Sequence, residues 1–237
     1  MTVLTTDFHT HILPGIDDGS ASVDESIKML KMQQEQGVQT TLLTPHFYAQ
    51  QMYPDTFLEK RKQSLDRLKA ALPTDLASMR LVLGAEVHFY SGISQWEQLR
   101  DLAIGDSDYI LIEMPSTKWT YGMYEELSSI YQFHGLTPIL AHIDRYFLPF
   151  QANKMLHKLS ELPVLLQLNC DFLIDKHTRR QAIRLLKNRK VHMLGSDCHN
   201  TSTRMPCMSS AREVLFEYTE PEIFAFLSQI ESSVFGK

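Results

Sequence analysis

Residues 3–46 read VLTTDFHTHILPGIDDGSASVDESIKMLKMQQEQGVQTTLLTPH. An apolar run, an amphipathic run and a second apolar run follow one another here. Val3–Phe8 is predicted as a strand. Val23–Gln36 is predicted as a helix, with Ile27, Leu30 and Gln34 on one face. Gly37 stands where a C′ glycine belongs. Val38–Thr44, rich in Thr, Val and Leu, is predicted as the second strand. Both strands run into side chains that ligate metals: His9 and His11 after the first, His46 after the second.

The same alternation continues outward. Predicted strands lie at Leu81–Val87, Tyr109–Met114, Pro138–Ala141, Val164–Leu168 and Val191–Gly195. Predicted helices lie at Thr56–Leu72, Tyr121–His134, Ala152–Leu162 and Lys176–Asn188, with Ser209–Glu217 and Glu220–Ile230 closing the chain. Pro73, Pro115, Gly135 and Pro163 punctuate these elements. Repeated strand-then-helix units with continuous apolar strands predict a parallel sheet. Seven such strands in this length predict an α/β fold, a TIM-like (β/α)7 barrel. An open doubly wound sheet is the alternative, but no Gly-rich nucleotide turn follows the first strand. No linker, low-complexity tract or internal repeat interrupts residues 1–237, so a single domain is expected.

The chain has 237 residues, 43% of them hydrophobic and 22% charged. That is an ordinary globular composition, and a chain of this size buries roughly 70% of its unfolded surface. Lys and Arg number 23 against 28 Asp and Glu, a net charge of −5. This balance argues against general nucleic-acid binding, which needs a basic face. No apolar run is long enough for a transmembrane helix. The first residues lack the basic and apolar regions of a signal peptide. Three Cys without a CxxC exclude a disulfide scaffold and suit a reducing cytoplasm. Ten His are the unusual count.

Their positions carry the functional reading. Asp7, His9 and His11, then Asp17 and Asp18, follow the first strand, and His46 the second. Glu86 and His88 end the third, Glu113 the fourth, His142 and Asp144 the fifth, Asp197 and His199 the seventh. In a parallel barrel all strand C-termini open onto the face that hosts the active site. Residues i and i+2 of an extended strand share a side, so His9 and His11 suit one ion. Nitrogen and carboxylate donors without a Cys cluster suit Mn, Fe or Zn. Such a group is costly to bury without cations. Several ions in one bowl imply hydrolysis, most often of a phosphoester. Arg145 and Arg204 lie beside these residues and suit phosphate oxygens.

The motifs resemble the PHP family (polymerase and histidinol phosphatase): H-x-H after the first strand, an Asp soon after, a His after the second, a mid-chain Glu, a second His and a late D-x-H. Asp7 to Ser20, Asp24-Glu25-Ser26, Ala141 to Tyr146 and Ser196 to Asn200 are similar to one branch. That branch is the bacterial manganese-dependent tyrosine-protein phosphatases of capsular and exopolysaccharide gene clusters. The resemblance implies a distorted seven-stranded barrel holding two or three Mn ions. It implies His9, His11, Glu86 and Asp197 on one ion. Glu86 is shared with a second, completed by Glu113 and His142. Asp18, His46 and His199 take a third. Arg145 and Arg204 match the family's phosphate-binding arginines. A metal-activated hydroxide is the implied nucleophile, and Asp18 or His46 the candidate proton donor. The implied substrate is the phosphotyrosine tail of a cytoplasmic tyrosine autokinase that regulates polysaccharide synthesis. A homo-oligomer is left open.

Some residues depart from the pattern. Asp144 stands where relatives usually carry Glu, and a supporting role is expected. Phe47–Tyr53 is unusually apolar and is expected to pack on the next helix rather than shape substrate entry. Asn169–Phe172 differs from the usual small polar run. His88 matches no family ligand. Two rival chemistries remain. A PHP-type small-molecule phosphatase, acting on histidinol phosphate or a nucleotide, would prefer a metabolite over a peptide. A thiolate phosphatase would use the C-x5-R spacing of Cys198 and Arg204, but residues 198–204 hold no glycine for a phosphate-wrapping loop. The strand pleat also turns Cys198 away from its neighbours Asp197 and His199.

Overall fold

The structure is a computed structural model and describes residues 4–147 and 152–235. The start of the predicted first strand, Val3, lies outside the described residues. The strands are β1 (Thr6–Thr10), β2 (Thr40–Leu43), β3 (His46–Phe47), β4 (Arg80–Leu83), β5 (Glu86–His88), β6 (Tyr109–Glu113), β7 (Thr137–Leu140), β8 (Leu165–Asn169) and β9 (Met193–Gly195). The helices are α1 (Val23–Glu35), α2 (Pro54–Ala71), α3 (Tyr121–His134), α4 (Ala152–Leu159), α5 (Cys170–Ile174), α6 (Arg179–Lys187), α7 (Met208–Tyr218) and α8 (Pro221–Phe235).

Every strand pairing is parallel, as strand–helix alternation requires. One sheet has the order β1-β2-β4, the other β3-β5-β6-β7-β8-β9. β3 continues β2 past Thr44-Pro45, and β5 continues β4 past Gly84-Ala85. Beyond β9, Asp197 N donates to His9 O at 2.8 Å and His11 N donates to Cys198 O at 2.9 Å, joining the last strand to the first. The sheet is therefore curled.

Two apolar clusters fill its two faces. Leu43, Ile110, Ile112, Leu140, Leu166 and Leu194 face the helices in the larger cluster. The residues between them fill the smaller one: Phe8, Leu42, Val82, Leu111, Ile139 and Met193, about one per strand, closed by Val234 of α8. Alternation by two along each strand produces this division. Moving toward the strand C-termini, the inner face turns polar. Leu111 gives way to Glu113, Leu165 to Gln167 and Asn169, and Met193 to Gly195 and Asp197. The apolar floor and the polar bowl are thus two ends of the same columns.

Three features differ from the sequence reading or add to it. The predicted strand Leu81–Val87 is broken, because Arg61 Nη1 takes the Gly84 carbonyl at 2.7 Å and Arg61 Nη2 that of Asp101 at 2.9 Å. Within the divergent run Asn169–Phe172, α5 begins at Cys170 directly after β8. The register of β1 against β2 shifts between Asp7 and Thr10. That bulge moves the pleat by one, so Phe8 joins the inner floor while His9 and His11 reach the bowl.

His192, just before β9, offers a stability test. Its Nδ1 accepts from Leu166 N at 3.0 Å. Burial, aided by Lys190, pushes its imidazole down to about 4. The unfolded chain therefore binds the extra proton first, and this contribution is lost as pH falls from about 6.5 toward 4. Thermal melting followed across that window should show a shallower slope in His192→Asn, which keeps an acceptor near the Nδ1 position.

Candidate metal centre

The site is assembled from strand ends. β1 supplies His9 and the following residue turn supplies His11. Their Nε2 atoms stand 3.1 Å apart. Each Nδ1 meets an oxygen, of Gln167 or of Asp17, so the neutral rings turn two Nε2 lone pairs toward a common point. Glu86 at the start of β5 is 1% exposed. Its Oε2 lies 3.1 Å from His9 Nε2, 3.3 Å from His11 Nε2 and 2.9 Å from His46 Nδ1. Yet Glu86 Oε2, His46 Nδ1 and His199 Nε2 are all buried without a hydrogen-bond partner. Orphaned donors and acceptors are costly to bury. Here they converge at the distance and in the chemistry that a cation would satisfy.

Three neighbouring groups have ligand spacing: His9, His11 and Glu86; His46, Glu86 and Glu113; His11, Asp18, His46 and His199. Asp197 Oδ1 joins the first, 3.6 Å from His9 Nε2 and 3.4 Å from His11 Nε2. His142 Nε2 joins the second, 2.7 Å from Glu86 Oε1 and 3.5 Å from Glu113 Oε1. In the third, Asp18 Oδ1 is 3.5 Å from His46 Nε2 and 3.4 Å from His199 Nε2. All nine residues expected as ligands are brought together. The groups also overlap more than expected, because His46 faces Glu86 and His11 faces Asp18.

Imidazoles and carboxylates in the bowl shift one another's ionisation against the penalty of burial. Burial opposes ionisation of Glu86, yet His9, His11, His142 and His46 hold its carboxyl well below the usual range. Burial likewise opposes Asp197, and His9 and His11 hold it well below. His9 and His11 rise above their ordinary value against the same burial penalty. Burial and the neighbouring His11 push His199 down to about 4.

Around these residues stands a frame. His11 Nδ1 pairs with Asp17 Oδ2 at 2.7 Å, and the same oxygen accepts from His46 N at 3.0 Å. His9 Nδ1 meets Gln167 Oε1 at 3.2 Å. Asp197 Oδ2 accepts from Asn169 Nδ2 at 3.1 Å and Arg204 Nη2 at 2.9 Å, and also from Arg145 Nη2. Such outer partners fix ring orientation and tautomer. Asp7 is fully buried, accepts from Ser196 N and Oγ and from Gln33 Nε2, and ties β1 to β9 and α1. Burial raises its carboxyl to about 6. His142 carries φ 33, a strained backbone for a non-glycine residue.

Glycines let the chain close around the ligands. A Cβ on Gly19 would sit 2.2 Å from His11 O, and one on Gly195 would sit 2.6 Å from His9 Cβ and 2.9 Å from Gln167 Nε2. Gly195→Ala should therefore displace His9 and cost about 1–3 kcal/mol of stability. A urea midpoint and a metal titration check this together, and both should weaken.

The remaining expectations resolve residue by residue. Asp144 holds no ligand; its Oδ1 accepts from Asn169 N at 3.0 Å. His88 Nδ1 meets Glu113 Oε2 at 3.1 Å and thus braces a residue expected as a ligand. Phe47 packs on Phe57 and Trp96 as expected, but Tyr48 instead lies between the His46 and His88 rings at the mouth of the bowl. Cys198 is fully buried in the larger apolar cluster. Burial drives its thiol well above its usual range, the opposite of an activated nucleophile. Gln167 escaped the sequence reading altogether, and Asp17 and Asn169 were noted there without the supporting role they take here. Their signals were an Asp–Asp pair and two polar residues, i and i+2, in the apolar strand LLQLN.

A curled parallel sheet whose strand ends gather imidazoles and carboxylates around unsatisfied donors defines an α/β protein with a candidate polynuclear metal centre. The sequence model for the family "Capsular polysaccharide synthesis, CpsB/CapC" matches residues 5–227. The chain belongs to that family. It is 29% identical over 202 residues to the tyrosine-protein phosphatase YwqE of Bacillus subtilis (strain 168), covering 84% of this chain and 78% of that one. It is 28% identical over 218 residues to the tyrosine-protein phosphatase CpsB of Streptococcus pneumoniae, covering 88% of each. Among solved structures, a chain from the crystal structures of YwqE and CpsB, described as unique metal-dependent tyrosine phosphatases, superposes with a TM-score of 0.81. It is 24% identical and covers 98% of this chain and 95% of that chain. Among the described residues, no helix is long and apolar enough to cross a membrane.

Proposed function

We propose that this protein is a metal-dependent protein-tyrosine phosphatase. The observation that carries the reading is Glu86 Oε2, buried, without a hydrogen bond and within 3.3 Å of three imidazole nitrogens. Membership of the CpsB/CapC family and the printed activities of YwqE and CpsB support the substrate class. The sheet is read as a distorted (β/α)7 barrel and residues 1–237 as a single domain.

In this reading His9, His11, Glu86 and Asp197 hold one ion, Glu86, Glu113 and His142 a second, and Asp18, His46 and His199 a third. Mn is the proposed metal, on the strength of the resemblance to manganese-dependent phosphatases; the mixed nitrogen and carboxylate donors fit Mn, Fe or Zn. Bound ions supply Lewis acidity and an activated water at neutral pH. The chain's own residues do the rest. Arg145 and Arg204, both anchored on Asp197, turn guanidinium N–H groups toward phosphate oxygens and offset charge that grows during displacement. Asp17 and Gln167 hold the His11 and His9 rings. Tyrosine, with a pKa of about 10, is a tolerable leaving group without a dedicated acid. Asp18, which is exposed, or His46 is the candidate proton donor only where the third ion is not bound, since a ligating carboxylate or imidazole nitrogen carries no proton.

The proposed partner is the phosphotyrosine tail of a cytoplasmic tyrosine autokinase in capsule or exopolysaccharide synthesis. Purified protein loaded with Mn should hydrolyse a phosphotyrosine peptide with a higher kcat/KM than histidinol phosphate or a nucleoside monophosphate. A reversed preference would reassign the substrate to a small metabolite.

A further inference from the structure

Beside the metal centre lies a cleft of about 330 Å³ of which the reaction above uses only Arg145. Its wall is a ladder of aromatic rings. Tyr146 Oη meets His142 Nδ1 at 3.3 Å. The Tyr146 ring then contacts Trp119 at 5.1 Å, and Trp119 contacts Tyr124 at 5.8 Å. The Lys158 ammonium sits 4.8 Å over the Tyr124 ring. Lys118, from the loop before α3, and Lys154, from α4, complete the lining.

The charge of this cleft is the unusual feature. The chain as a whole carries −5. The cleft is lined by Arg145 and three lysines, with no Asp or Glu among its lining residues. Among the described residues, Lys118 and Lys154 have no ion-pair partner, and Lys158 has only the Tyr124 ring. Lys154 and Lys158 are four apart on one helix, where like charges repel. An anion between them would relieve that repulsion. Arg145 belongs to both places: its Nη2 bonds Asp197 in the metal centre, and its side chain lines the cleft. Rings beside unpaired ammonium groups suit an extended peptide whose anionic side chain lies near the reacting one.

The geometry points to a second substrate subsite: the Lys118–Lys154–Lys158 cleft binds an anionic side chain of the peptide that carries the scissile phosphotyrosine. This inference rests on the peptide-phosphatase reading above and adds a rule of substrate choice to it. The shared chemistry is an anion on the flanking residue, supplied by a carboxylate or by a second phosphotyrosine.

The test compares three phosphotyrosine peptides of one length. One has neutral flanks, one has Glu flanks, and one has a second phosphotyrosine nearby. Para-nitrophenyl phosphate serves as a small ester with no flanking residue to place in the cleft. The Mn-loaded wild type should favour the anionic peptides by about ten-fold in kcat/KM, a size within reach of a few exposed charge pairs worth at most about five-fold each. The preference should shrink with added salt. Lys118→Ala/Lys154→Ala/Lys158→Ala should reduce all three peptides to one value and leave the small ester unchanged. Comparing the Glu and phosphotyrosine arms identifies the preferred anion. Equal kcat/KM for all peptides in the wild type overturns the subsite, as does a preference that survives in the triple variant. An equal loss on the small ester also overturns it, by assigning the lysines a structural role. Cleavage of the small ester with no peptide cleaved at all would instead remove the peptide-phosphatase reading on which the subsite rests.

Discussion

Glu86→Ala should lower turnover on a phosphotyrosine peptide by about 1000-fold or more, the scale on which removal of a central charge-stabilising group acts. The reason is position rather than charge alone. Glu86 is the only carboxylate that two of the proposed ions share. Its Oε1 faces His142 at 2.7 Å, and its Oε2 faces His9, His11 and His46. Removing it leaves four imidazoles around an empty volume with no anion to draw a cation in. The variant should bind less metal by isothermal titration, and its far-UV spectrum should stay native. Normal metal content with normal turnover in Glu86→Ala would overturn the site assignment.

Asp197→Asn is the second large effect, and it acts at two places. Asp197 Oδ1 faces His9 and His11, whereas Oδ2 anchors Arg145, Arg204 and Asn169. The residue sits at φ 52, a left-handed conformation that Asn also tolerates. The backbone is therefore preserved and only the charge is lost. The amide cannot serve as an anionic ligand, and it leaves both guanidinium groups without their shared carboxylate. Turnover should fall by about 100- to 1000-fold, with weaker metal binding and a higher KM together. Arg204→Ala gives the contrast. It should retain its metal and raise KM, because the proposed phosphate contact is lost while Asp197 keeps Arg145 and its Oδ1 contacts with His9 and His11.

Much of the fold is legible in the residues. The helix at Tyr121–His134 falls on its expected boundaries, and α1 ends one residue short of them. Apolar strands bounded by Pro and Gly announce a parallel sheet, since strands buried on both faces carry no polar alternation. What escapes the sequence is set by long-range contacts. The break between β4 and β5 depends on Arg61, which reaches across from α2 to the Gly84 carbonyl. The bulge in β1 depends on its pairing with β2. No local pattern encodes either.

The site shows the same division. Its nine proposed ligands announce themselves because metal-capable side chains recur at strand ends. The residues that hold those ligands do not. Gln167, Asn169 and Asp17 are ordinary polar residues until the curled sheet brings them to His9, Asp197 and His11. His88 looks like a ligand in sequence and is a brace in space. The cleft of Lys118, Lys154 and Lys158 joins a loop to a helix some 40 residues on, so only the fold brings it together.

The central claim is that hydrolysis depends on cations held by this bowl. The most direct measurement is phosphotyrosine-peptide hydrolysis by the purified protein before chelator stripping, after it, and after Mn is added back, with Cys198→Ser run in parallel. Activity should be lost on stripping, restored by Mn, and equal in wild type and Cys198→Ser at every stage. Activity that survives complete stripping and disappears in Cys198→Ser would contradict that claim.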